Sequence, residues 1–248
     1  MALIDEFISQ IPQRGNGDKQ GGSHLCYLMG QYALIKGAFC EADMDFIIET
    51  SKKLSAEGVA VVPTLEYSKV KESPLTPKLF LGYVLQRKAQ GEELHKASYS
   101  KQAPEEYYGR IEELANRPQE FYDKFVSDWL AICKSGLQID ASKSSNFFYT
   151  PEKISFIDLN KAVNDNQLDY AFNASAVALF NGGAYYHFSN HGAHKHVLNK
   201  LVNAFEKQGE NVDRMYDACK KHFPDIADFA LKDVNKTPNI IKTTKERE

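Results

Sequence analysis

The sequence predicts an α+β fold in two unequal lobes, a small antiparallel β lobe followed by a mostly helical one. Three observations carry this. Short apolar and aromatic runs between turn residues, as in Leu25-Cys-Tyr-Leu-Met and Tyr32-Ala-Leu-Ile-Lys, fill the first third of the chain. The character changes after Arg87, where long segments with helical spacing take over. Within these, Phe121, Tyr122, Phe125, Val126, Trp129, Leu130, Ile132 and Cys133 fall within about half the circumference of one helix, as a strongly buried helix requires.

The elements follow in order. After a short amphipathic start comes a polar, glycine-rich stretch, residues 14–23. Two strands joined at Met29-Gly30-Gln31 follow, Gly30 suiting a tight turn. Residues 42–56 form a helix through Met44, Ile47, Ile48 and Leu54, with acidic residues at its front and Lys52-Lys53 at its back, the order a helix dipole prefers. A strand near Gly58 to Tyr67, broken by Pro63, is followed by a loop across residues 68–78 and a strand from Leu79 to Gln86. The β lobe is therefore assigned to residues 1–88 and the helical lobe to 89–248.

Beyond the boundary, Gln90 to Leu94 reads as a linker running into a short helix. The helix over 118–134 is stopped by Gly136, and two short apolar segments, 146–149 and 154–159, read as a hairpin turning at Thr150-Pro-Glu-Lys153. Further helices are expected near 168–180, 192–207 and 211–230, with a frayed polar tail from about Asn235.

Composition narrows the function. The 248 residues carry 30 basic and 33 acidic side chains, a net charge of −3 that gives no broad attraction to a phosphate backbone, so no nucleic-acid partner is expected. No run approaches the roughly 20 apolar residues of a membrane span, and the N-terminus lacks the pattern of a secretory signal. The four cysteines, Cys26, Cys40, Cys133 and Cys219, are widely spaced and form no CxxC pair, so they read as buried hydrophobes rather than ligands or a disulfide framework. A cytoplasmic setting is expected; a protein delivered into another cell by a leaderless route would share these features.

The segment with the most chemistry is Gly136 to Asn160, GLQIDASKSSNFFYTPEKISFIDLN. Asp140 and Asn146 lie in an Asx-rich loop before the hairpin, and Asp158 sits in the apolar run Ile154 to Leu159. A carboxylate there needs a partner or a metal, because an unpaired buried charge is costly. The segment resembles the catalytic loop, hairpin and metal-binding turn of the protein-kinase-like superfamily. That family includes small-molecule kinases and minimal bacterial effector kinases.

The resemblance implies ATP with Mg2+ (or Mn2+) as cofactor and a hydroxyl-bearing protein or small molecule as acceptor. It implies Asp140 as the catalytic aspartate, and Asn146 and Asp158 as the metal ligands. Phosphoryl transfer has use for such groups: hard oxygens hold the metal ions on the phosphates, and a second carboxylate orients the acceptor hydroxyl. Upstream, Tyr32-Ala-Leu-Ile-Lys-Gly37 resembles the third strand of the kinase amino-terminal lobe, which implies Lys36 on the α- and β-phosphates. Gly15, Gly17, Gly21 and Gly22 would let backbone amides approach phosphate closely. Residues 82–90 resemble the strand and hinge that hold adenine, which places Gln86 and Lys88 at the nucleotide and has Glu92-Glu93 capping the next helix. Glu49 is the expected helix partner of Lys36, with Glu41 an alternative, and Lys143 is positioned to neutralise a transferring phosphate.

The chain also departs from the family pattern. It reads Gln138-Ile139-Asp140 in place of His-Arg-Asp, and Asp140 and Asn146 are six apart rather than five. The metal turn is Asp158-Leu159-Asn160, without glycine, and nothing downstream matches an activation segment ending Ala-Pro-Glu. These departures point to an atypical phosphotransferase; the resemblance alone leans to a protein Ser/Thr acceptor, with a small-molecule kinase, a nucleotide-binding relative without transfer activity and an AMP-transferring relative as alternatives. A reading of a different class rests on His187, His191, His194 and His196, dense enough to bind zinc through imidazole nitrogens.

Overall fold

A computed structural model describes residues 2–11, 19–20, 25–72, 79–95, 104–163, 165–180, 192–214 and 217. Helix α1, Leu3–Ser9, precedes a five-stranded antiparallel sheet. The strands are β1 (Lys19–Gln20), β2 (Leu25–Met29), β3 (Tyr32–Cys40), β4 (Thr64–Glu72) and β5 (Leu79–Arg87), in the spatial order β1-β2-β3-β5-β4. Gly30, at a φ of 60°, turns β2 into β3. Helix α2, Glu41–Ala56, leaves β3 directly and matches the helix expected from the sequence.

Both faces of the sheet are covered. On one, α1 places Ile4 against Tyr27, Leu34 and Leu85, with Phe7, Ile8 and Tyr83 packed around them. On the other, Phe80 and Val84 join the main core with Met44, Ile47 and Leu54 of α2. Strand β4 begins at Thr64 rather than near Gly58, and it runs on through Ser68–Glu72, where the sequence suggested a loop. Pro63 has no N–H to give a ladder, so pairing starts after it; β4 then stays on β5 by absorbing register shifts between Thr64 and Glu66 and between Lys69 and Lys71.

Residues 58–62 are instead stitched to the helical part of the chain. Phe156 N–H donates to Ala60 O at 2.9 Å, Val62 N–H donates to Phe156 O at 2.9 Å, and Val61 forms a parallel bridge with Phe156. Ala60 N–H also donates to the buried Asp128 carboxylate at 3.2 Å, while Lys124 reaches both Asp128 and the carbonyl of Gly58. These bonds satisfy the buried Asp128 carboxylate and the backbone N–H groups of Ala60, Val62 and Phe156.

After β5 the chain enters a short strand, β6 (Glu92–Glu93), rather than a linker leading straight into a helix. Strand β6 pairs with β8 (Phe147–Tyr149), which pairs with β9 (Ile154–Phe156). Glu92 therefore caps no helix: it forms an ion pair with Arg110 of α3, Pro104–Ala115. Arg110 lies over the Tyr149 ring, and Glu113 accepts from Arg110, Arg117 and the Tyr149 hydroxyl, closing a network at the start of the helical region.

Gly91 makes the entry to β6 possible. Its φ is +87°, and a Cβ there would meet the Tyr149 carbonyl oxygen at 2.1 Å. Gly91→Ala is expected to cost about 2–4 kcal/mol, from the left-handed backbone and the clash together. That corresponds to a fall of roughly 4–16 °C in Tm for a chain of this size, read by circular dichroism.

The helical region is built on α4, Gln119–Lys134, which matches the expected buried helix and ends before Gly136 at φ 81°. Trp129 is almost completely buried and packs against Phe125, Phe147 and Phe156, so the β8–β9 hairpin rests on this helix. Two more short strands, β7 (Leu137–Gln138) and β10 (Asn160–Lys161), pair antiparallel. A 3-10 turn, Asp165–Tyr170, leads into α5, Ala171–Leu179, so the single helix expected near 168–180 is two elements. Helix α6, Gly192–Lys207, completes the described core. The helix expected near 211–230 and the tail from Asn235 fall almost wholly outside the described residues. No described helix is long and apolar enough to cross a membrane.

Candidate functional site: an acidic cleft under the sheet

The pairing of β7 with β10 brings together the two ends of the segment that the sequence singled out. Asn160 lies opposite Gln138 and Lys161 opposite Leu137, so Asp140 and Asp158 emerge from the same end of one two-stranded ladder. Both carboxylates line a cleft of about 510 Å3, within the roughly 300–1,000 Å3 typical of small-molecule sites. Its apolar wall is made by Ile35, Phe39, Met44, Ile47 and Val84, and its polar groups include Asp43, Thr64, Gln86, Asn160 and Lys161.

Asn146 ties the ladder to the hairpin. It is only 3% exposed. Its side-chain amide donates to the backbone carbonyl of Asp140 at 3.1 Å, and its own backbone carbonyl accepts from Ile157 N–H at 3.0 Å. With the amide nitrogen used in this way, the side-chain oxygen is the atom left to accept or to ligate. The residue next to Ile157 is Asp158, which has a φ of 54°, the left-handed conformation that Asp and Asn tolerate better than other side chains. Its backbone carbonyl accepts from the Asn160 side chain at 3.2 Å.

The Asp140 carboxylate is held from two sides. One oxygen accepts from the backbone N–H and hydroxyl of Ser142, at 3.1 and 2.6 Å, and the other is 3.1 Å from Lys143 Nζ. Burial works to raise its pKa, but the Ser142 and Lys143 bonds together outweigh burial and hold the carboxyl below its ordinary value. The ionised form is therefore favoured. Lys143 is held protonated in turn, chiefly by its hydrogen bond to Asp140.

Other expected residues are not brought here. Lys36 sits opposite Tyr83 on β5, its Nζ 5.8 Å from that ring, on the face carrying Leu34 and Leu85 under α1. Strand alternation puts Ile35, not Lys36, on the face toward α2 and the cleft. Glu49 is on an exposed face of α2, so no Lys36–Glu49 pair forms, and Glu41 at the helix start bonds Lys69 instead at 2.6 Å. Gln86 is buried and does line the cleft, whereas Lys88 lines a separate groove with Arg87, Gln90 and Lys153. Gly15, Gly17, Gly21 and Gly22 lie outside the described residues.

The histidine run divides similarly. His187 and His191 are outside the described residues, and His196 is exposed on α6. His194 is buried at 1% exposure, with its Nε2 3.2 Å from the Tyr107 hydroxyl and its ring beside Phe180. Among the described residues no group of three or more His, Cys, Asp or Glu side chains is arranged to hold a metal. His194 packs within the helical core.

Two cleft residues escaped the sequence reading, Asp43 of α2 and Lys161 of β10. Lys161 Nζ is 3.5 Å from Asp43 Oδ1 and 5.5 Å from the Phe46 ring centre. The only local signal was that Lys161 stands three residues after Asp158, on the far side of the same turn.

No protein-family model matches the chain, and no curated protein matches its sequence. Among solved structures it is similar to a choline/ethanolamine kinase family protein from Mesorhizobium loti, at 13% identity and a TM-score of 0.41, over 100% of this chain and 90% of that one. It is also similar to WaaP, solved in complex with acyl carrier protein, at 13% identity and a TM-score of 0.42, over 87% of this chain and 90% of that one.

Proposed function

We propose that the chain is an ATP- and Mg2+-dependent phosphotransferase acting on a hydroxyl. The observation that carries this reading is the convergence of Asp140 and Asp158 on one cleft, with Asn146 bonded to the backbone beside each. A hard cation is commonly held by one or two carboxylates together with substrate phosphates and water, and Asp158 with the side-chain oxygen of Asn146 fits that donor set. The metal would neutralise charge on the transferring group. Asp140, kept ionised by Ser142 and Lys143, would orient the acceptor hydroxyl and take its proton. Gln86, buried in the cleft wall, would meet the nucleobase. The acceptor is a protein Ser/Thr or a small-molecule hydroxyl.

Mass spectrometry after incubation with Mg-ATP tests the reading, on the protein itself and on candidate protein and small-molecule acceptors. Gain of one phosphoryl group is the expected outcome. Gain of AMP would replace phosphoryl transfer by nucleotidyl transfer, and neither binding nor transfer would refute the reading. A binding relative without transfer is the second reading, favoured by one observation: an isoleucine, Ile35, faces the cleft from the strand expected to present a lysine. It predicts that Mg-ATP raises Tm without turnover.

A further inference from the structure

We propose that Lys161, held in place by Asp43, is the cation that contacts the nucleotide phosphates in this cleft, the role the sequence pattern suggested for Lys36. The inference rests on the phosphotransferase reading and adds a residue to it. Among the described residues lining the cleft, Lys161 is the one cationic side chain, set among Asp43, Asp140 and Asp158. A polyphosphate entering a space with three carboxylates needs fixed positive charge as well as metal. Lys143 bonds Asp140 and is not among the residues that line the cleft.

The support for Lys161 comes from both sides of the cleft. Its backbone is fixed in β10 against Leu137, and the next residue, Ala162, donates its N–H to Gly136 O at 2.8 Å. Its head is aimed by Asp43 and rests near the Phe46 ring, both on α2. A strand lysine drawn toward a helix carboxylate is the arrangement expected of Lys36 and Glu49; here it is built from the opposite side of the cleft. An ammonium has three donors, so the Asp43 contact leaves two for phosphate oxygens. The side chains are 46% and 33% exposed, and a pair that open to water adds little to stability. Its placement beside Asp158 is therefore better explained by what it binds than by what it stabilises.

The test is calorimetric titration of Mg-ATP and of adenosine into the wild-type chain, Lys161→Met, Lys161→Arg, Asp43→Asn and Lys36→Met. Lys161→Met is expected to weaken Mg-ATP about ten- to a hundredfold, the loss of a charged hydrogen bond or two, and to leave adenosine affinity unchanged. Lys161→Arg should keep most of the Mg-ATP affinity, Asp43→Asn should lose part of it, and Lys36→Met should match the wild type. An equal loss for adenosine and Mg-ATP in Lys161→Met would show a structural role and overturn the proposal. So would wild-type behaviour of Lys161→Met with a loss confined to Lys36→Met; the phosphotransferase reading would survive either result. Failure of the wild type to bind Mg-ATP would overturn both.

Discussion

Asp158→Asn is expected to reduce phosphoryl transfer by about a thousandfold, the equivalent of roughly 4 kcal/mol of lost charge stabilisation at a metal-bound phosphate. Asparagine is the informative replacement because of the backbone. Asp158 has a φ of 54°, and alanine in that conformation would add a steric penalty on the order of 1–2 kcal/mol, mixing a folding defect with a chemical one. Asparagine tolerates the left-handed region, keeps the shape and removes only the charge. Its Tm should therefore stay within a few degrees of the wild type while turnover collapses. Activity within about tenfold of wild type would remove Asp158 from the reaction. A parallel fall in Tm and activity would mean that the residue serves the turn rather than the metal.

The second large effect is on stability. Trp129→Ala should destabilise the protein by about 3–5 kcal/mol, the usual range for removing a buried tryptophan, which corresponds to a Tm lower by roughly 6–20 °C. The indole lies parallel to Phe147 at 5.9 Å, with 5° between the planes, and meets Phe156 edge-on at 5.7 Å. Truncation thus opens a cavity beneath both strands of the β8–β9 hairpin at once, and Phe147 directly follows Asn146. Trp129→Phe keeps part of this packing and should lose less. Thermal unfolding followed by circular dichroism separates the variants. Because Trp129 is the one tryptophan in the chain, wild-type indole fluorescence reports unfolding from this spot.

The elements with strong periodicity were legible in the sequence. Helix α4 matched because its apolar residues occupy one broad face, and the β2–β3 hairpin matched because Gly30 supplies the positive φ of its turn. Asp140 and Asp158 were singled out by the resemblance of their segment, Asp158 also by its place in an apolar run, and the structure brings both to one cleft through a ladder only two residues long. Lys36 was misplaced for a physical reason. The sheet is packed on both faces, by α1 and by α2, so β3 is apolar on both faces and its pattern does not say which side holds the cleft. Ala33, Leu34 and Ile35 all look like core, and the side on which Lys36 emerges is set by the pairing with Tyr83. Asp43 and Lys161 were invisible because their relation is tertiary: over a hundred residues separate them, and neither lies on a recognisable local pattern. Glu92 was read as a helix cap from its place after the hinge-like segment; instead it lies in a two-residue pairing with β8.

The seam at residues 58–62 makes the stretch after α2 a shared border between the sheet and the helical region. It is fastened to β9 and to Asp128 by several backbone bonds acting together. At the other end of α2, Asp43 and Phe46 meet Lys161 of β10. The helix is therefore clamped to the helical region at both ends, and Met44 and Ile47, which lie between the clamps, form part of the cleft wall. A substitution that weakens the seam should thus be felt in the shape of the cleft as well as in stability.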